Sequence, residues 1–143
     1  LRWRVLWPPA GPGPSPVPEG PNDASVTLLA RVAGLTVLLP GDLEPPAQQA
    51  LSRSLPVLPQ VDVLKVAHHG SAYQDPELIR RIRPRLALIS SGRDNPYGHP
   101  APSTLAALRA RGTVVLRTDT HGSVAVTGTG AGLRATPSKE GAG

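Results

Sequence analysis

Eighteen prolines and fifteen glycines interrupt this chain of 143 residues, which leaves no room for a long helix or a coiled coil. Seven of the prolines fall between Pro8 and Pro21. That stretch supports neither a helix nor a sheet ladder and reads as an extended surface loop over 8–22. Around it the apolar residues are small. Phe, Met and Cys are absent, and there are only two Trp and two Tyr, so Leu, Val, Ala and Ile must form the core. Without cysteine, a disulfide partner, a thiolate metal site and a cysteine nucleophile are all excluded. No apolar run approaches the ~20 residues of a bilayer span. The chain opens at Leu1 inside what already reads as a strand, and is expected to be a piece of something longer.

The remaining segments alternate. Arg2–Trp7 reads as a short strand. Ala24–Val32 and Leu35–Leu39, joined at Ala33-Gly34, read as a hairpin. Glu44-Pro45-Pro46 opens a helix carrying Ala47, Ala50, Leu51 and Leu55, its prolines in the first turn, where missing N–H groups matter least. Val61–Val66 is a strand. Asp75-Pro76-Glu77 opens a second helix with an N-cap, an N1 proline and an acidic first turn. Arg85–Ser90 is a strand, 102–111 a helix ending at Gly112, and Val114–Leu116 and Ser123–Val126 are strands around a turn. The tail 128–143 is expected to be flexible. Strands alternating with short helices make an α/β layered core, with residues 1–127 as one partial domain.

The unusual polar residues follow strand ends, where open α/β sheets build their sites. Asp42 comes after five apolar residues and a glycine; it is either a presented carboxylate or a helix cap. His68-His69-Gly70-Ser71 is the sharpest signal, because adjacent imidazoles at a strand end suit metal ligation, orientation of a ligand or proton transfer. Asn95, Tyr97 and His99 crowd a turn-rich loop and can meet a phosphate or sugar oxygen, unless Asn95 only satisfies its own backbone. His121 reads as a turn residue, and Lys65 as a rim residue rather than a catalytic amine. There is no G-x-S-x-G elbow, Walker loop or G-x-G-x-x-G fingerprint. An aspartate with imidazoles suits Zn²⁺ or Mn²⁺. Fifteen Lys+Arg against ten Asp+Glu give +5, and thirteen of those cations are arginine, a balance compatible with nucleic acid.

Leu38-Leu-Pro-Gly-Asp42, Asp62-Val-Leu-Lys-Val-Ala-His-His-Gly-Ser71, Ser90-Ser-Gly-Arg-Asp-Asn-Pro-Tyr-Gly-His-Pro100 and Arg117-Thr-Asp-Thr-His-Gly122 resemble, in order and spacing, the metallo-β-lactamase-like domain of the ComEC competence family. Asn22-Asp-Ala-Ser25 matches its Asn-x-x-Ser. The similarity covers roughly residues 22–127. It implies an αββα metallohydrolase fold in which Asp42 bridges two divalent metals and His68 or His69, with His69 favoured, completes the site. His99, with Asn95 or Tyr97, then contacts the substrate or protonates the leaving oxygen. The resemblance also implies DNA as substrate, degradation of the strand that is not imported, and a place on the outer side of the cell membrane beside a channel in a longer polypeptide.

One departure matters. The family's His-x-His/Asp-x-Asp-His motif, which supplies most ligands of the first metal, is missing from these 143 residues, so the chain resembles the C-terminal half of the domain. Two or three ligands cannot enclose a dinuclear centre, and half a sandwich exposes apolar sheet. The isolated chain is therefore expected to be inactive and poorly soluble. The alternatives are a stand-alone hydrolase of small esters or phosphodiesters, and a non-catalytic nucleic-acid-binding remnant.

Overall fold

In the computed structural model, which describes residues 1–10, 20–55 and 57–140, the aliphatic segments become one six-stranded sheet. Strands β1 (Arg2–Trp7), β2 (Thr27–Val32) and β3 (Leu35–Leu39) are antiparallel, while β4 (Val63–Lys65), β5 (Leu86–Ile89) and β6 (Val114–Arg117) continue from β3 in parallel, in chain order. The hairpin turns where expected: Ala33 and Gly34 both take positive φ, as a tight turn between right-twisted strands demands. The middle of the proline-rich stretch, 11–19, lies outside the described residues.

Each parallel step is bridged by a helix: α1 (Pro45–Ser54), α2 (Pro76–Ile82) and α3 (Pro102–Arg109), all with proline in the first turn. The period-2 alternation of the strands decides which side chains meet them. Leu29, Leu38, Leu64, Ala87 and Val115 lie opposite one another across successive strands. The first four are buried with Leu51, Leu78, Ile79, Ile82, Leu105 and Leu108 in one cluster, and Val115 packs against it. The core is therefore aliphatic, apart from Trp7, whose indole donates to Asp23 O at 2.8 Å. On the other face the row runs Trp3, Ala30, Val37, Val63, Leu86, Val114. Helices α1 to α3 pack on the opposite face; here Ala30, Val63 and Leu86 are buried, while the ends of the row, Trp3 and Val114, are 64 % and 58 % exposed.

The helices are tied by buried polar groups. Gln48 on α1 donates to Leu43 O and accepts from Asp75 N at 2.8 Å. Asp75 in turn accepts from Glu77 N and Leu78 N, the N-cap read from the sequence. An Asp75→Ala variant should lose about 1 kcal/mol of unfolding free energy, the usual worth of such a cap, as a lower urea midpoint at unchanged slope. A shift of the midpoint equivalent to less than a few tenths of a kcal/mol would show that the cap contributes nothing here.

The C-terminal part differs from expectation. Residues 118–121 form a single helical turn, α4 (Thr118–His121), and not a hairpin turn. After Gly122, which needs its φ of 69°, β7 (Val124–Thr127) pairs with β8 (Arg134–Pro137) instead of returning to β6. The tail, expected to be flexible from 128 onward, supplies that second strand. The period-2 alternation of exposure in both strands suits a small two-stranded sheet with one face turned inward. Thr129 touches Gly34, Gly130 O accepts from Arg85, and Leu133 and Ala135 line a cleft with Leu86, Val114 and Leu116, so the hairpin covers part of that second face. Residues 141–143 lie outside the described residues.

Candidate active site

The parallel strands end together, and three loops meet there. The first leaves β3 through Pro40, Gly41 and Asp42. Gly41 takes φ 64°, and a Cβ there would stand 2.7 Å from Ser25 Cβ, a close approach only glycine permits. Ser25 uses that closeness: its Oγ accepts from Asp42 N at 3.0 Å. Asn22 donates to Glu44 Oε1 at 2.9 Å, and Asp23 Oδ1 accepts from Glu44 N at 3.0 Å. The Asn22–Ser25 segment is thus a clamp on the Asp42 loop. Asp42 does not cap α1, whose N-cap is Glu44.

The second loop follows β4. Lys65, expected to be a rim residue, donates from Nζ to Gly41 O at 2.9 Å and to Asp42 Oδ1 at 3.1 Å. Burial alone would push the Asp42 carboxyl up; the Lys65 hydrogen bond and charge, helped by His69 and His68, outweigh it and hold the carboxyl below its ordinary value. Then His68 (φ 45°) and His69 (φ 53°) both adopt left-handed backbone, followed by Gly70 at φ 77°. Consecutive left-handed non-glycine residues store strain of roughly 1–3 kcal/mol each, the kind that clusters at functional sites.

That turn aims the two rings differently. His69 Nε2 faces Asp42 Oδ2 at 3.4 Å, and its Nδ1 lies 2.8 Å from Ser90 O. A carbonyl only accepts, so Nδ1 carries the proton, and in the neutral ring Nε2 is left as a bare lone pair beside a carboxylate oxygen. Two lone-pair donors so placed accommodate either a proton or a cation between them. Two donors each ~2.1 Å from a tetrahedral ion would stand ~3.4 Å apart, the separation of this pair. His68 faces elsewhere: its Nδ1 is buried without a hydrogen bond, 3.4 Å from Glu44 Oε1, and its ring meets those of His69 and His99 edge-on at 6.3 and 5.6 Å. Among the described residues no group of three or more His, Asp or Glu is arranged to hold an ion. Asp42 and His69 stand as a two-donor edge and not an enclosing set.

The third loop follows β5. Asn95 donates to Gly92 O at 2.9 Å and to His99 O at 2.6 Å, and its Oδ1 accepts from His99 N at 2.9 Å. Its amide is spent on loop backbone, so it positions His99. Tyr97, 79 % exposed, stacks on His99 with centroids 6.0 Å apart. Burial, with the neighbouring His68 and His69, lowers the pKa of His99. A cleft of about 200 Å³ opens between His69, Ser91, Gly92, Asn95, Tyr97 and His99. Asp42, His69, Tyr97 and His99 thus lie at one rim, with His68 beside them turned to Glu44 and Asn95 behind. His121 stands apart, receiving Arg117 N at its Nδ1 within its own helical turn.

No family model matches this chain. It is 37 % identical over 125 residues to ComE operon protein 3 of Bacillus subtilis (strain 168), covering 87 % of this chain and 15 % of that protein. It is 37 % identical over 111 residues to Recombination protein 2 of Haemophilus influenzae, covering 77 % of this chain and 14 % of that protein. Competence protein ComA of Neisseria gonorrhoeae is 31 % identical over 104 residues, 72 % of this chain and 15 % of the relative. The chain therefore spans about one seventh of the length of these curated relatives.

Proposed function

Since this chain belongs to the ComEC family of competence proteins, we propose that it is the C-terminal half of a metallo-β-lactamase-like domain that hydrolyses DNA phosphodiesters with divalent metal. The observation that carries this is the 3.4 Å approach of His69 Nε2 to Asp42 Oδ2, with the His69 proton committed to Ser90 O. Asp42 and His69 contribute one oxygen and one nitrogen to the metal; the other ligands come from outside this chain. The β1 end of the helix-free face, where Trp3 and Val5 are exposed, is where the missing half of the sandwich packs. Among the described residues no helix is long and apolar enough to cross a membrane; a place at the outer membrane face belongs to the longer polypeptide.

When bound, the ion supplies Lewis acidity toward a phosphoryl oxygen. The chain's own residues set the stage for it. Ser90 fixes the His69 tautomer, Lys65 and Ser25 fix Asp42, and Asn95 fixes His99. His99, its pKa lowered by burial, is neutral near pH 7, so it offers an N–H to a phosphate or leaving-group oxygen more readily than a full proton.

A second reading has one observation in its favour: Lys65 already neutralises one Asp42 oxygen, which a metal-free nucleic-acid-binding remnant would need. The complete polypeptide that carries this chain separates the two. It should cleave linear DNA with Mn²⁺ or Zn²⁺, and should lose cleavage on chelation and in His69→Ala. DNA binding without cleavage, indifferent to both, selects the remnant.

A further inference from the structure

At the opposite end of the sheet, a β-strand's length from the histidine turn, α2 and α3 end and β5 and β6 begin. The segments 83–85 and 111–114 meet there around two adjoining clefts. One, of about 510 Å³, is lined by Arg83, Arg85 and Arg111 over Leu86, Val114 and Leu116. The other, of about 450 Å³, runs between Arg80, Arg83, Arg111 and Thr113. Arg83, Pro84 and Arg111 belong to both, and among the described residues no carboxylate lines either.

The four arginines are not equivalent. Arg80 grips Glu77 through two hydrogen bonds of 2.6 Å. Arg85 reaches Asp62 at 3.7 Å and donates to Gly130 O. Arg83 and Arg111 are exposed, and among the described residues their guanidinium groups have no hydrogen-bond or ion-pair partner. The carboxylate whose charge Arg111 feels is Glu77, which Arg80 already holds. Arg83 is also the left-handed C-cap of α2, with φ 45°, where glycine or asparagine costs less. Favourable interaction with helix ends accounts for a cation at each position, but not for two free forks sharing one concavity above an aliphatic floor.

We infer that this arginine cleft binds the phosphodiester backbone of a single nucleic-acid strand, at a place separate from the metal-binding rim. Guanidinium forks match phosphate oxygens bidentately, and the aliphatic floor receives sugars and the base faces that only an unpaired strand exposes. Among the described residues no aromatic side chain lines the cleft, so recognition is tolerant of sequence and dominated by charge.

The test uses this chain with a fluorescent oligodeoxythymidylate in EDTA, so that it stands whether or not the complete protein hydrolyses anything. Binding should weaken at least ~10-fold at low salt in Arg83→Gln/Arg111→Gln, and the slope of log affinity against log salt should fall by about 1.4, two single-strand phosphate contacts. Arg53→Gln/Lys139→Gln, which removes the same charge elsewhere, should stay within about twofold, with the salt slope unchanged. In the unaltered chain the oligonucleotide should protect Arg83 and Arg111 from phenylglyoxal, a readout independent of whether the variants fold. Equal losses in both double variants, no protection, or binding of phosphatidylglycerol vesicles through these arginines in place of the oligonucleotide would each overturn the assignment.

Discussion

Alanine at position 70 should lower the stability of the chain by about 2–5 kcal/mol, from left-handed backbone at ~1–2 and forced overpacking at ~1–3. Gly70 sits at φ 77°, where a Cβ would stand 2.7 Å from Pro100 Cβ and 3.2 Å from a methyl of Ile89. Neither neighbour can yield easily: Pro100 is a rigid ring, and Ile89 is core. Gly70 O also accepts from Ala101 N at 2.8 Å, the bond that fastens the third loop to the histidine turn. Gly98→Ala provides the comparison, because Gly98 has φ 68° and nothing within 4 Å of its built Cβ; it should cost only the backbone part. Urea unfolding of the two variants therefore isolates the contact with Pro100. If both lose the same amount, the close packing of the two loops contributes nothing to stability.

Much of this arrangement is legible in the residues because it is local. The Ala33-Gly34 turn, the Asp75 cap and the prolines opening each helix follow from backbone preferences within a few positions. The clustering of Asp42, the histidines and His99 at one rim follows from their places after parallel strands. What escaped the sequence depends on register. Lys65 alternates with Leu64, so it had to face away from the helices, but only the pairing of Leu38 with Leu64 brings it beside the end of β3 and onto Asp42. The clamp of Asn22–Ser25 spans some 20 residues of sequence and carries no periodic signal. β8 hides in a segment rich in Gly, Ala and Thr, whose strand character appears only once β7 is beside it. The orientation of the two histidines also lay beyond spacing: their left-handed backbone turns His69 toward Asp42 and His68 toward Glu44.

The Asp42–Lys65 pair makes the second large effect. Replacing Asp42 with alanine in the complete polypeptide should reduce metal-dependent cleavage by more than ~100-fold, since even groups that merely orient a ligand cost 10–100-fold. Lys65→Met should act in the opposite direction on metal. Its ammonium lies 3.1 Å from Asp42 Oδ1 and repels any cation at Oδ2, so its loss should tighten Mn²⁺ binding by up to about tenfold, a repulsion of ~1 kcal/mol at such range in a wet site. The same variant reverses the proton balance. With Lys65 present the Asp42 carboxyl is held below 3.8; its contribution to stability is complete above that ordinary value and disappears as pH falls through the depressed one. Without Lys65, burial works against the carboxylate with only the imidazoles opposing it, so the carboxyl should titrate at higher pH by carbon-detected NMR. A carboxyl that does not move in Lys65→Met, with unchanged Mn²⁺ affinity, would mean that the ammonium rests on the rim without electrostatic consequence. Cleavage that survives Asp42→Ala would remove the carboxylate from the chemistry altogether and leave the nucleic-acid-binding reading in its place.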